Sequence, residues 1–160
     1  MKFNTMRCKE CHAEMALRAL DPMSGEKAGV RMMIEGMPAM CCQKGHKRFV
    51  APEFAVKLME ALLGDGKLVP GEPAPQKGWL HKHCVCPGCG KELDEKAPDH
   101  VEVKRVLELK GVDAFGVRVE VPMFRCADCG RQSVLPDAVL GDALMKASVH
   151  AFRSAEISPT

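Results

Sequence analysis

Aromatic side chains are scarce in this chain of 160 residues: six Phe, one Trp and no Tyr. A small protein with so few rings has difficulty closing a self-sufficient core and needs a staple, either disulfide or metal. Long apolar runs are missing as well, so no segment reaches the roughly 20 residues of a membrane span. The start, MKFNTMRCKEC, has no continuous apolar stretch of the kind a secretory signal carries. Neither sign of charge dominates, with 23 basic and 21 acidic side chains, which is short of the strongly basic footprint of a nucleic-acid binder. A phosphate-cradling glycine loop and a nucleophile motif are both lacking. These absences lead to the expectation of a cytoplasmic protein that is neither membrane-bound nor an enzyme. The apolar fraction of 46% excludes wholesale disorder.

Cysteine is what the chain does have, nine in all. Eight stand at Cys8, Cys11, Cys41, Cys42, Cys86, Cys89, Cys126 and Cys129, mostly as pairs two residues apart, and the ninth is Cys84. In a reducing compartment such spacing reads as metal ligation, not as disulfides.

The pattern occurs twice. With Cys42 and Cys126 as common origin, Pro38 and Pro122 each lie four residues before it and Pro52 and Pro136 ten residues after it. An acidic residue follows each later proline, Glu53 and Asp137, and then an apolar helical pattern. Each half also has its own upstream CxxC, at 8–11 and 86–89. Agreement at several independent positions reads as an internal duplication. Residues 64–79, with three prolines and four glycines, suit a linker.

The expected fold is therefore small α+β: two tandem zinc-ribbon-like domains at 1–64 and 80–155, joined by a linker at 65–79. Each is a pair of zinc knuckles on a β-hairpin, followed by a helix. Alternation predicts a hairpin from 101–109 and 116–121, with a weaker counterpart at 30–37. Pro52 and Pro136 are expected in the first helical turns. Phe54, Leu58, Met59 and Leu62 form one predicted apolar face, and Leu140, Leu144, Ala147 and Ala151 another. Stripes that one ribbon would only partly cover suggest that Phe54, Leu58 and Leu62 pack on Val139, Leu140 and Leu144 in a compact pseudo-symmetric body. The tail SPT reads as frayed.

Zinc takes four tetrahedral ligands, preferably thiolate and imidazole, and two CxxC turns supply two each. The second half gives Cys86, Cys89, Cys126 and Cys129, with Gly90 and Gly130 permitting the left-handed turn after each second cysteine. The first half gives Cys8, Cys11, Cys42 and His46. There the repeat predicts a cysteine at position 45 but the residue is Gly45, and Cys41 competes with Cys42. His12 is an alternative ligand whose plainer reading is a solvated residue. Two zinc ions per chain follow. Four protein ligands leave no open position for catalysis. His81, His83 and Cys84 could bind a third metal or supply a reactive thiol; the plainer reading is a polar linker end.

The first half resembles the bacterial YgiT-type zinc-finger proteins, a group that includes the N-terminal zinc domain of the MqsA antitoxin. The shared residues are MRCKEC, MPAMCC, Phe49 and Pro52-Glu53, over about residues 6–63 and more loosely 86–147. The resemblance implies a zinc ribbon and a bacterial or phage setting. The second knuckle departs from the family's CxxC, and no helix-turn-helix follows.

Two kinds of partner remain. Methionines 32, 33, 37 and 40 suit either an adaptable protein-binding surface or simple core filling. Lys44, Lys47 and Arg48 crowd one knuckle and are the candidate nucleic-acid contacts; residues 1–63 carry ten basic and seven acidic side chains, against ten and twelve in 86–160. Few rings for base stacking make a protein partner the stronger expectation. The oligomeric state is not readable from the sequence.

Overall fold

The computed structural model describes residues 6–64, 68–96 and 98–158. The first half runs β1 (Met6–Arg7), β2 (Glu14–Ala19), β3 (Met23–Lys27), β4 (Val30–Glu35), β5 (Pro38–Cys41), β6 (Lys47–Arg48) and α1 (Phe54–Leu63). Four of these strands are the arms of one kinked hairpin. Ala16–Cys41, Ala19–Pro38, Met23–Ile34 and Lys27–Val30 all pair in one unbroken register. The Leu20 amide donates to Met37 O across the kink at 2.9 Å. At the tip, Ala28 and Gly29 have φ of 52° and 80°, the two-residue turn whose twist matches that of the flanking strands. The weak strand expected at 30–37 is thus half of a longer arm.

The second half continues with β7 (Glu72–Pro73), β8 (Gln76–Lys77), β9 (His83–Cys84), β10 (Asp99–Leu107), β11 (Phe115–Arg125), β12 (Gln132–Val134), α2 (Asp137–Ser154) and β13 (Ile157–Ser158). The predicted hairpin is β10–β11, in register through Val101–Val121 and Val103–Val119. Each half places a hairpin between two cysteine-bearing turns and follows it with a short strand and a helix, within an α+β architecture.

The halves are joined through their hairpins. β4 pairs antiparallel with β11, from Glu35–Gly116 to Arg31–Glu120. Alternation sends Met32, Ile34, Val117 and Val119 to a fully buried face, while Arg118 and Glu35 pair on the other face. The helices then cross over. α2 lies on β3 and β4 of the first half, and α1 reaches β10 of the second. The scarce aromatics concentrate at this junction. Phe49 stacks on Phe54 at 5.8 Å and meets Phe152 edge-on at 4.9 Å, and Phe54 stacks on Phe115 at 5.9 Å. β13 returns to pair with β6, and Lys47 Nζ donates to Ala155 O at 2.8 Å.

Several sequence expectations change here. Part of the expected linker, residues 65–67, lies outside the described residues, as do Pro159 and Thr160 of the tail. Residues 68–79 are not a free tether. Leu68, Val69 and Ala74 are buried, β7 pairs with β12, and β8 with β9. Prolines and glycines here shape close packing. Pro136 caps α2 from outside the helix, with ψ 149°, and α1 begins two residues after Pro52. A proline's fixed φ suits a helix entry equally well from just outside the first turn. Both predicted apolar faces are buried. Phe54, Leu58, Leu62, Leu140 and Leu144 belong to one continuous core, with Val139 packed against it, and an open groove lies between the two helices.

The closest approach in this packing is at Gly25 of β3. A Cβ added there would stand 2.0 Å from Ala147 O and 2.5 Å from Ala151 N. Both are backbone atoms of α2 and cannot give way without moving the helix. Gly25→Ala should therefore cost about 3 kcal/mol of stability, read as a lowered urea midpoint of the metal-loaded protein. A loss below about 0.5 kcal/mol, the range of ordinary surface changes, would mean that α2 stands off β3.

Candidate metal centres

Each cysteine-bearing turn is built by its backbone. The Cys8, Cys86 and Cys126 amides donate to Ala13, Lys91 and Arg131 carbonyls at 2.8, 2.8 and 2.9 Å. The amides of His12, Gly90 and Gly130 close each turn onto the first cysteine's carbonyl. The closing residue is left-handed in all three, with φ of 61°, 75° and 74°. Glycine adopts that conformation freely. His12 adopts it with a side chain, which is exposed and outside the donor cluster.

The fourth turn is one residue shorter. The Cys42 amide donates to His46 O, and Gly45 closes the turn onto Cys42 O, both at 3.1 Å. Gly45, φ 87°, therefore corresponds to the closing Gly130 and not to Cys129. This corrects the register of the repeat: no cysteine was replaced at 45, because the shortened turn has no position for one. His46, the first residue after the turn, supplies the missing donor.

Two quartets result, Cys8, Cys11, Cys42 and His46, and Cys86, Cys89, Cys126 and Cys129; within each, the donor atoms all lie within 4.8 Å of one another. Bonds of about 2.3 Å to a tetrahedral ion would set sulfurs roughly 3.8 Å apart. Cys86–Cys129 and Cys89–Cys126 stand at 3.5 Å and Cys11–Cys42 at 3.7 Å. His46 Nδ1 lies 3.4 Å from Cys8 Sγ and 3.3 Å from Cys42 Sγ. The donor sets therefore fit one tetrahedral cation each. Cys41 lies outside the quartet: it is buried at the end of β5, and its thiol lies 3.9 Å from Ala39 O.

The electrostatics agree with ligation. The Cys89 amide, aided by that of Gly88, brings the Cys86 thiol down to about 6 against the effect of burial. Amides of Cys129 and Asp128 lower Cys126 in the same way. The Lys91 amide pulls Cys89 down, yet the Cys126 sulfur, burial and the remaining sulfurs push it up to about 11. Four thiolates so close repel one another, and a divalent cation relieves that repulsion.

Two supporting contacts carried no sequence signal. Glu10, inside the first CxxC, holds His46 Nε2 at 2.8 Å. That contact fixes the tautomer that presents Nδ1 to the cluster. Lys91 and Asp128 meet at 2.6 Å and tie the two knuckles of the second site together.

The remaining candidates separate. Cys84 is wholly buried, and burial together with Glu95 raises its thiol to about 11, the opposite of a reactive thiol. His83 Nε2 lies 3.7 Å from Glu92, and among the described residues no third donor group forms there. Lys47 and Arg48 are drawn into the β6–β13 junction and half-buried, while Lys44 stays exposed. No helix among the described residues is long and apolar enough to cross a membrane. No protein-family model matches the chain, and no curated protein or solved structure resembles it at a significant level.

Cobalt(II) titration checks the first ligand set, since its absorption reports both occupancy and tetrahedral thiolate coordination. Cys42→Ser should remove one of two tetrahedral sites, and Cys41→Ser should leave both. The reverse result would move the ligand to Cys41.

Proposed function

We propose that the chain is a non-enzymatic zinc protein, built of two zinc-ribbon-like units, that binds another polypeptide in a bacterial or phage cytoplasm. Zinc suits three-thiolate-plus-imidazole and four-thiolate tetrahedral sets. Each quartet already has four protein donors, the arrangement of structural and not catalytic zinc. The two units, alike in order of elements, support descent from one duplicated ribbon. The resemblance to YgiT-type proteins supports the setting, and it implies a toxin partner only weakly.

The observation that carries the partner reading is the groove between the helices, about 920 Å³ and lined by Val56, Met59 and Leu63 of α1 and by Gly141, Met145 and Val149 of α2. Val56 and Met145 are each more than half exposed. Adjacent apolar residues on two helices form the kind of surface that marks a protein contact. The nucleic-acid alternative rests on Lys44, Lys47 and Arg48, of which only Lys44 is free of the β6–β13 junction.

Metal analysis of protein purified without added zinc should give two zinc ions per chain. A ratio near one would remove the first, irregular site. Capture from the native host distinguishes the partner classes. A polypeptide retained through nuclease and about 0.5 M salt, and lost with Met145→Glu, is the expected result. Retention abolished by nuclease or by moderate salt would instead indicate phosphate contacts.

A further inference from the structure

Two large apolar side chains stand exposed on the hairpin β8–β9. Its five-residue tip, Gly78 to Lys82, holds the only tryptophan of the chain, Trp79, 91% exposed, beside Leu80, 75% exposed. The tip is tightly formed. Gly78 has φ 101°, and a Cβ there would meet His81 O at 2.4 Å. The hairpin base is anchored by the buried Ala74 and Cys84 and by the Val85 amide donating to Pro75 O at 2.9 Å. A rigid base with two large apolar side chains in water is costly unless something covers them. Tryptophan is also the residue that most often anchors a protein contact.

Charge points to what covers them. From Gln76 to Lys91 the chain has no acidic residue, and Lys77 and Lys82 stand on either side of Trp79 and Leu80. The groove between α1 and α2 has the opposite rim: Glu60, Asp137 and Asp142 against the single Arg153. Asp142 already pairs with Lys146, whereas Glu60 and Asp137 form no ion pair among the described residues. The tip does not line the groove of its own chain. Two grooves facing each other would oppose their acidic rims, so groove-to-groove pairing is disfavoured.

We infer that the groove's partner is a second copy of this chain, which inserts its Trp79–Leu80 tip between α1 and α2, each copy serving the other. Reciprocal insertion uses both tips and both grooves of a twofold pair, with like residues making like contacts. The apolar pair enters between Val56 and Met145, and Lys77 and Lys82 approach Glu60 and Asp137. This inference rests on the polypeptide-binding reading of the groove and names its occupant.

The zinc-loaded full chain, from about 1 to 300 μM, supplies the test. With no tyrosine and one tryptophan, its emission reports the tip alone. Sedimentation should show monomer passing to dimer as concentration rises, with Trp79 emission shifting to shorter wavelength over the same range. Trp79→Ala and Met145→Glu, both at exposed positions, should each weaken dimerisation at least tenfold with two zinc ions retained. A monomer throughout, with unshifted emission, overturns the inference. So does a dimer that survives both substitutions, because another face would then be responsible. Either failure leaves the groove itself to be judged by whether capture of a host polypeptide depends on Met145, so the two readings fail separately.

Discussion

Five residue pairs between β4 and β11 hold the two halves in one sheet, and nearly everything else in the molecule follows from that pairing. It creates a buried face wide enough for two helices from hairpins that could not bury one alone. It also explains why the helices exchange places. α2 is longer than α1, 18 residues against 10, and only the first half's hairpin offers it the clear track beside Gly25. Once α2 is there, Phe152 reaches Phe49, and the short supply of rings is spent across the junction between halves. A chain poor in aromatics thereby obtains a core by pooling two small ones.

That core does not extend to the cysteine-bearing turns of the first half. Cys8, Met15, Met40 and Cys42 form a separate small cluster at the end of the kinked hairpin. Four such residues cannot hold β1, β2 and the 42–46 turn together by burial. In sites of this kind metal binding is itself folding energy. Apolar packing holds the junction, and the donor quartet sits at the hairpin ends that packing does not reach.

The parts legible in the sequence were those set by local rules. Ligand spacing identified both quartets, and period-2 and period-3.6 patterns located the β10–β11 hairpin and the buried faces of both helices. The relations between halves were not legible. β3 reads as MSGEK, with no strand pattern, because its Gly25 serves a helix more than 120 residues away. The stretch 68–79 resembles a linker because glycine and proline mark tight packing as readily as looseness. The one-residue shortening of the 42–46 turn was hidden because the flanking prolines keep their spacing: Pro52 stays ten residues from Cys42 while the turn loses one residue and the segment before α1 absorbs it. Glu10 gave no signal, since a carboxylate inside a knuckle is ordinarily just solvated.

The first candidate metal centre adjoins the groove through a single strand. His46 belongs to the first donor quartet, and the next residue, Lys47, pairs with Ile157 and donates to Ala155 O. Ile157 lines the groove, as does Phe49, three residues from His46. One short strand, β6, thus follows directly on a member of the donor quartet and has the groove's end wall against it. The strand that β13 pairs with thus follows directly on the 42–46 turn. The far end of the groove depends on that partnership for its shape. The second centre has a path of its own, since its later knuckle leads through β12 into α2, whose Asp137 and Ala138 line the same groove. Both donor quartets therefore stand only a few residues along the chain from the groove's lining, the first through β6 and the second through β12.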